Sequence, residues 1–406
     1  MALNFSDTEI AFKNKSNSSL TKATWLFKSF NYPFIVEKGP LIAVWALKWH
    51  LPFMRRLVRN TIFSQFCGGE TVDESMKVVK ELSTANIKSI LDYSVEGEEN
   101  EANFDATRNE ILRTIAAAKT NKSIAFSVFK STGIARIALL EKVDEVYRKA
   151  LNEKKFLPLS ELREVLTTDE FAEIERTYKR FTDLCDTAAA AQVRLFVDAE
   201  ETWIQNTLDA WTEAMMLKHN KESAVIYNTI QMYRHDRITY TKRLLEIAQE
   251  NSFYIGLKIV RGAYMEKERE RAIAMNYPSP IHIDKESCDK DYDNVVHFCV
   301  LSDRISICAG THNEESSLKL TQWMKEQNCT PSNARFFFAQ LLGMSDNLSF
   351  NLAASGYEVA KYVPYGPVLS VLPYLARRAQ ENSSVKGQVG RELGLIKQEQ
   401  QRRKKN

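Results

Sequence analysis

The sequence predicts an α/β protein organised as a distorted (β/α)8 TIM-type barrel, on three observations. Eight short runs rich in β-branched and aromatic residues recur along the chain, each followed by a segment of helical pattern. The runs are almost continuously apolar, as parallel strands covered on both faces must be. Polar or charged residues close most of them, and the C-terminal ends of strands are where a barrel gathers its chemistry.

Taken in order, residues 1–80 precede the first run and read as an N-terminal helical region. Their most apolar stretch, LIAVWALKWHLPFM (41–54), is interrupted by Lys48, His50 and Pro52. It is also shorter than the ~20 residues of a membrane span. That pattern predicts a buried helix; the alternative is an interfacial helix backed by Arg55, Arg56 and Arg59. The catalytic barrel is expected over 81–385. Its runs are KSILDY (88–93), IAFSVFK (124–130), RLFVDAE (194–200), SAVIYNTIQMY (223–233), FYIGLKIVRGAY (253–264), RISICAGTHN (304–313), ARFFFAQLLGM (334–344) and YEVAKYVPYG (357–366). A helical insertion is expected at about 135–190. The rival architecture, a doubly wound open sheet, is weakened because no GxGxxG follows a strand; GQVGRELG (387–394) follows a helix instead. Residues 386–406 form a charged C-terminal tail ending KQEQQRRKKN, a composition that predicts disorder.

Charge narrows the class of ligand. With 55 Lys+Arg against 52 Asp+Glu in 406 residues, nothing global argues for nucleic acid, so small molecules are the expected ligands. The six cysteines lack CxxC spacing, which disfavours a disulfide framework or structural zinc and fits a reducing interior. The start, MALNFSDTEIAFKNKSNSSL, has no signal-peptide core and carries Asp7 and Glu9, which a mitochondrial transit peptide usually avoids, so it reads as part of the mature protein; the expected place is the cytoplasm, with a peripheral contact at the inner face of the membrane as the alternative.

The run ends supply Lys130; Asp198, Ala199 and Glu200; Gln231; Lys258, Arg261, Gly262, Ala263 and Tyr264; Gly310, Thr311, His312 and Asn313; Gln340; and Tyr362. No metal site is expected: His312 has no second ligand at helical spacing, and DKDYDN (289–294) has Asn294 and Val300 where a calcium loop needs glycine and glutamate. There is no GxSxG elbow and no cysteine beside a base. What remains is a cationic site with glycine-permitted backbone approach, suited to an anionic substrate and a phosphate-bearing cofactor.

After the last run, Pro364, Gly366 and Pro367 force a turn and a helix resumes around Pro373. At about 100° per residue, Tyr374, Arg377, Arg378 and Glu381 share one face, opposite Leu372, Leu375, Ala376 and Ala379. Periodicity alone predicts a surface helix with an Arg377–Glu381 pair. The sharper reading is a carboxylate site, with two planar guanidinium groups for the anion and a tyrosine wall for the carbons.

YVPYGPVLSVLPYLARRAQEN (362–382) resembles the terminal signature of the FAD-dependent proline dehydrogenases, Y-x-P-x-G followed by Y-L-x-R-R-x-x-E-N. The strand ending in Lys130, VDAEE (197–201), IQMY (230–233), LKIVRGAY (257–264) and THN (311–313) are similar to that family's blocks in the same order. The resemblance covers roughly residues 85–385. It implies a barrel whose last helix lies over the mouth. It implies that Lys130, Arg377 and Arg378 bind the L-proline carboxylate, with Tyr362 and Tyr374 around the ring. It implies FAD at Ala199, Gln231, Arg261, Gly262, Ala263, Thr311, His312 and Asn313, with Glu381 nearby, and catalytic roles for Asp198 and Lys258. Many members carry arginine where this chain has Lys258, so flavin contacts are expected to shift.

The implied reaction is hydride transfer from L-proline to FAD, giving Δ1-pyrroline-5-carboxylate, with electrons passed to a quinone and a peripheral membrane contact at 41–54. Bifunctional relatives add an aldehyde dehydrogenase region that has no counterpart in these 406 residues. Two other readings stand beside this one: a hydroxyproline dehydrogenase, which the tyrosine at 374 disfavours, and a non-catalytic barrel scaffold.

Overall fold

The computed structural model describes residues 3–49, 51–95, 100–384 and 388–405. Eight strands follow one another as a closed barrel: β1 Ile87–Tyr93, β2 Ile124–Lys130, β3 Arg194–Asp198, β4 Ile226–Gln231, β5 Ile255–Val260, β6 Ile305–Gly310, β7 Phe336–Leu341 and β8 Val359–Tyr365. Every expected run contains one strand, so the (β/α)8 class holds. The strands stop earlier than several runs because residues such as Arg261–Tyr264 and Thr311–Asn313 leave the ladder and turn into the next helix. Pairing is parallel for β1 with β8 and for β2 through β6 in succession. The register sets Lys130 opposite Asp198 and Thr229 opposite Lys258. Short parallel strands in register deliver their terminal side chains to one rim.

The chain divides into two compact units, residues 97–338 and residues 1–96 with 339–406. In the first, aromatic side chains from β2, β3 and β7 pack together in the interior. Phe126 stacks on Phe196 at 4.2 Å between ring centroids, Phe337 meets Phe126 edge-on at 5.0 Å, and the Arg194 guanidinium lies 5.1 Å from the Phe337 centroid. Gly256 in β5 is obligatory there, since a Cβ would lie 2.5 Å from the Tyr227 ring. The segment expected to be helical at 135–190 contains the helices Ile137–Asn152 and Thr168–Ala190. The second begins at a capping box in which the Thr167 hydroxyl accepts from Glu170 N and the Glu170 carboxylate accepts from Thr167 N.

In the second unit the helices Asn17–Ser29, Pro33–Lys48 and Leu372–Ser384 share one core that includes Phe27, Phe30, Val36, Phe66, Leu372 and Leu375. Two expectations fail here. Gln388–Lys405 is a helix, not a disordered tail. Part of its charge is met by partners: the buried Glu399 carboxylate accepts from Arg402 (2.8 Å) and Arg403 (2.6 Å), Arg403 also donates to Phe12 O and Lys15 O, and Leu393, Leu395 and Ile396 supply an apolar seam. A charged composition predicts disorder only where charges lack partners. The stretch 41–54 is not a buried helix either. Of its large apolar residues, Leu41, Ile42, Trp45, Trp49, Leu51 and Phe53 are exposed, and His50 lies outside the described residues. Among the described residues, no helix is long and apolar enough to cross a membrane.

Candidate active site

The residues singled out from the sequence fall into two groups, one within each unit. In unit 97–338, Asp198 ends β3 and Lys258 stands at the fourth position of β5, both buried. The Lys258 ammonium donates to Asp198 Oδ1 at 2.5 Å and lies 5.5 Å from the Phe196 ring centroid. A cation held between a carboxylate and an aromatic face, inside a barrel, is fixed in place. Lys130 ends β2, half-buried. Ala199, also half-buried, immediately follows β3, and Gln231 ends β4 with its Nε2 donating to Glu200 O at 2.8 Å. The Gln231 Oε1 atom is buried with no hydrogen-bond partner among the described residues, an acceptor that a ligand N–H would satisfy.

The segment after β5 is built for close approach. Arg261 donates through Nε to Asp289 Oδ1 (2.5 Å), through Nη1 to Thr311 Oγ1 (2.7 Å) and through Nη2 to Ser316 Oγ (2.9 Å). Its guanidinium lies 4.3 Å from the Tyr292 ring centroid. Gly262 follows at φ +127°, a conformation few side chains tolerate, and it and Ala263 are exposed. Thr311 is buried and His312 half-buried. Asn313, grouped with the cofactor residues in the sequence, serves the fold: its Oδ1 accepts from Ser316 N at 3.1 Å and caps the helix Glu314–Glu326.

In the other unit, Tyr362 lies in the middle of β8 and is buried. The helix Leu372–Ser384 is not a surface helix: Tyr374 and Arg378 are as buried as Leu372, Leu375 and Ala379. The Arg378 guanidinium is 5.0 Å from the Tyr374 ring centroid and donates through Nη2 to Glu381 Oε1 at 2.6 Å. Arg378 is thus an i,i+3 partner of Glu381, and Arg377 also acts on that carboxylate through its charge. Arg378 Nε and the Tyr374 hydroxyl are buried with no partner among the described residues. Burial raises the Tyr374 hydroxyl pKa well above its usual range, against the opposing pull of Arg378, so the phenol stays protonated as a donor. Two unspent donors beside a guanidinium make an anion-binding face.

A family model described as proline dehydrogenase matches residues 75–391. The chain belongs to the proline dehydrogenase family. Its relatives include "Proline dehydrogenase 1, mitochondrial" of Dictyostelium discoideum, 31% identical over 98% of this chain and 74% of that one. The CarD protein of carbapenem antibiotic biosynthesis from Pectobacterium carotovorum is 33% identical over 85% of each. The hydroxyproline dehydrogenase of Xenopus laevis is 29% identical over 99% of this chain and 90% of that one. Among solved structures, proline utilization A from Bdellovibrio bacteriovorus, inactivated by N-propargylglycine, superposes with a TM-score of 0.71 at 17% identity. That match covers 94% of this chain but only 42% of the solved one, so it establishes the fold.

Glu200, one of the residues at the end of the third run, has no role that its place in the sequence assigns. Its Oε1 accepts from Thr132 Oγ1 at 2.6 Å and its Oε2 from Thr132 N at 3.0 Å, tying the loop after Lys130 to the end of β3. Burial pushes the Glu200 carboxyl up to about 7, although the Thr132 hydrogen bonds pull it down. The available signal was a second acid two residues beyond Asp198; nothing in spacing said which of Asp198, Glu200 and Glu201 faces inward.

Proposed function

We propose that the chain is an FAD-dependent proline dehydrogenase that oxidises L-proline to Δ1-pyrroline-5-carboxylate, the first step of proline catabolism, with a quinone as the eventual electron acceptor. The observation that carries the substrate reading is the buried pair Tyr374 and Arg378, each with an unspent donor. Arg378, Arg377 and Lys130 hold the carboxylate; Tyr374 and Tyr362 bound the pyrrolidine ring, and the Tyr374 ring disfavours a ring hydroxyl, which favours proline over hydroxyproline. For the cofactor, the donor set fits a flavin dinucleotide. The orphaned Gln231 Oε1 suits a ring N–H, and Gly262 and Ala263 offer exposed backbone beside Arg261. Ala199, Thr311 and His312 complete the set, Asn313 contributes by capping, and Glu381 contributes by orienting Arg378.

When bound, FAD supplies the two-electron acceptor that no side chain provides. The chain's own residues bind, orient and polarise. Lys258, fixed by Asp198, keeps a positive charge where negative charge develops, and such preorganised charge is the main protein contribution to a transfer of this kind. No general base is assigned; proline reacts as the neutral amine and its proton leaves to water.

The test is product formation from L-proline and from trans-4-hydroxy-L-proline, with Arg377→Met and Arg378→Met alongside. The reading expects proline to be preferred and KM for proline to rise steeply in both variants while flavin content holds. An unchanged KM, or a preference for hydroxyproline, overturns it.

A further inference from the structure

Strand β4 reads IYNTIQ, and its side chains alternate between two surroundings. Tyr227 points into the barrel, where its ring meets Phe126 edge-on at 5.4 Å and Phe196 at 5.5 Å between centroids. Asn228 points the other way. Its Nδ2 donates to Asp209 Oδ1 at 2.8 Å and to the Tyr240 hydroxyl at 2.9 Å, on the helices Gln205–His219 and Arg237–Glu250. A period of two then places Thr229 inside, on the face of Tyr227 and Gln231. The parallel register puts it opposite Lys258 on β5. On β3 the last pair is Val197 with Asn228, so one step further along sets Thr229 beside Asp198. Thr229 stands between the two members of the buried ion pair.

The Thr229 hydroxyl is buried and has no hydrogen-bond partner among the described residues. Thr24, Thr114, Thr207, Thr212 and Thr241 are buried like it, and each donates its hydroxyl to a backbone carbonyl. In a central strand the ladder takes those carbonyls, so a threonine aimed into a barrel must find its partner there. Valine has the same branched shape and leaves no polar group unmade, so packing alone does not account for a hydroxyl at this position. The Ser127 hydroxyl is also unpartnered, but Ser127 alternates with the inward Phe126 and faces away from the interior. Two unspent polar atoms therefore remain on the inner face of β4, Thr229 Oγ1 and Gln231 Oε1, on residues about 6.6 Å apart along the strand. The strand that carries them is held from behind: Asn228 Oδ1 accepts from Thr229 N at 2.9 Å, and Asp209 accepts in turn from Gln205 and Arg237.

We propose that Thr229 is a further cofactor-contacting residue, its hydroxyl donating to an acceptor atom of the same flavin ring whose N–H meets Gln231 Oε1. The inference rests on the FAD reading of this strand end and deepens it. Donor chemistry sets the direction of the bond. Gln231 Oε1 only accepts and the Lys258 ammonium only donates, whereas a hydroxyl does either. A ring that carries an N–H beside carbonyl and imine acceptors satisfies both orphaned atoms at once. A hydrogen bond donated to such a ring strengthens as the ring gains electrons, so the Thr229 hydroxyl favours the reduced cofactor in the same sense as the Lys258 charge.

Thr229→Val removes the hydroxyl and keeps the shape; Thr229→Ser restores the hydroxyl. In the apoprotein, Thr229→Val should unfold at or above the temperature of the parent, since no partner within the chain is lost. Titration with FAD, followed by quenching of flavin fluorescence, should give a Kd about tenfold higher in Thr229→Val and within about threefold of the parent in Thr229→Ser. The midpoint potential of the bound flavin should move negative in Thr229→Val, and kcat should fall with KM for L-proline unchanged. A Thr229→Val protein that matches the parent in FAD affinity and potential overturns the proposal. So does a Thr229→Ser protein that behaves as Thr229→Val, or an apoprotein that Thr229→Val destabilises, which would mean a structural partner. A parent that takes up no FAD overturns the cofactor reading itself and this inference with it.

Discussion

Removing the charge of Lys258 tests the buried pair at the heart of the proposed chemistry. Lys258 and Asp198 are both nearly inaccessible, and 2.5 Å separates Nζ from Oδ1. Their mutual attraction is unscreened, but so is the cost of leaving either charge with its partner gone. Lys258→Met keeps most of the aliphatic volume over Phe196 and takes away the ammonium. Breaking a buried pair from one side costs about 3–5 kcal/mol, whereas replacing both members with neutral residues often costs far less. Lys258→Met and Asp198→Asn should therefore each destabilise by that order, and the double variant by clearly less than their sum, a coupling of about 2 kcal/mol or more. Urea unfolding at neutral pH reads all four states of the cycle. Turnover should fall at least tenfold in Lys258→Met with flavin retained, because the positive charge, not the packing, is lost. Additive single effects below about 1 kcal/mol would refute the claim that the two groups act as one unit.

Other perturbations follow from the same geometry. Gly262→Ala should cost about 1–3 kcal/mol in thermal or urea unfolding, since its Cβ would sit 2.6 Å from the Tyr233 ring at φ +127°. Lys361→Met should destabilise by about 3–5 kcal/mol: this fully buried lysine pairs with Asp346 at 2.9 Å and donates to Met344 O and Leu341 O, contacts that close the turn after β7. Glu200 contributes a pH dependence of definite sign. Its carboxyl is raised from 4.5 to about 7, so between those values the native state holds a proton that the unfolded chain has released, and stability falls as pH rises through that window. Asp144 and Glu392 are raised in the same direction by burial. Glu200→Gln should flatten the decline between about pH 5 and pH 7 by at most about 3 kcal/mol; an unchanged slope in the urea midpoints would remove Glu200 from the account.

The barrel was legible because its evidence is repeated: eight apolar runs at intervals long enough for a helix leave few alternatives. The placement of individual site residues was legible where a strand end dictates it, as at Lys130, Asp198 and Gln231. Partner choice was not. Glu381 accepts from Arg378 three positions back on the buried side of the Leu372–Ser384 helix, a contact that periodicity allows as readily as the i,i+4 pair with Arg377. Asn313 carries a side chain suited to a ligand and spends its carbonyl on a helix cap, a division that only coordinates reveal. The stretch 41–54 misled for a plain reason. Apolar residues go inside as a tendency, and a helix apolar around its whole circumference says nothing about which side finds a partner. The tail misled in the opposite sense, since composition does not count the buried Glu399 that accepts from both Arg402 and Arg403 or the apolar seam of Leu393, Leu395 and Ile396.

The most direct measurement is the visible spectrum of the purified protein during anaerobic titration with L-proline. The account predicts a yellow protein whose flavin absorbance bleaches stoichiometrically with L-proline, far less readily with trans-4-hydroxy-L-proline, and only at much higher L-proline in Arg378→Met. A colourless protein that takes up no flavin, or a bound flavin that L-proline leaves oxidised, would contradict it.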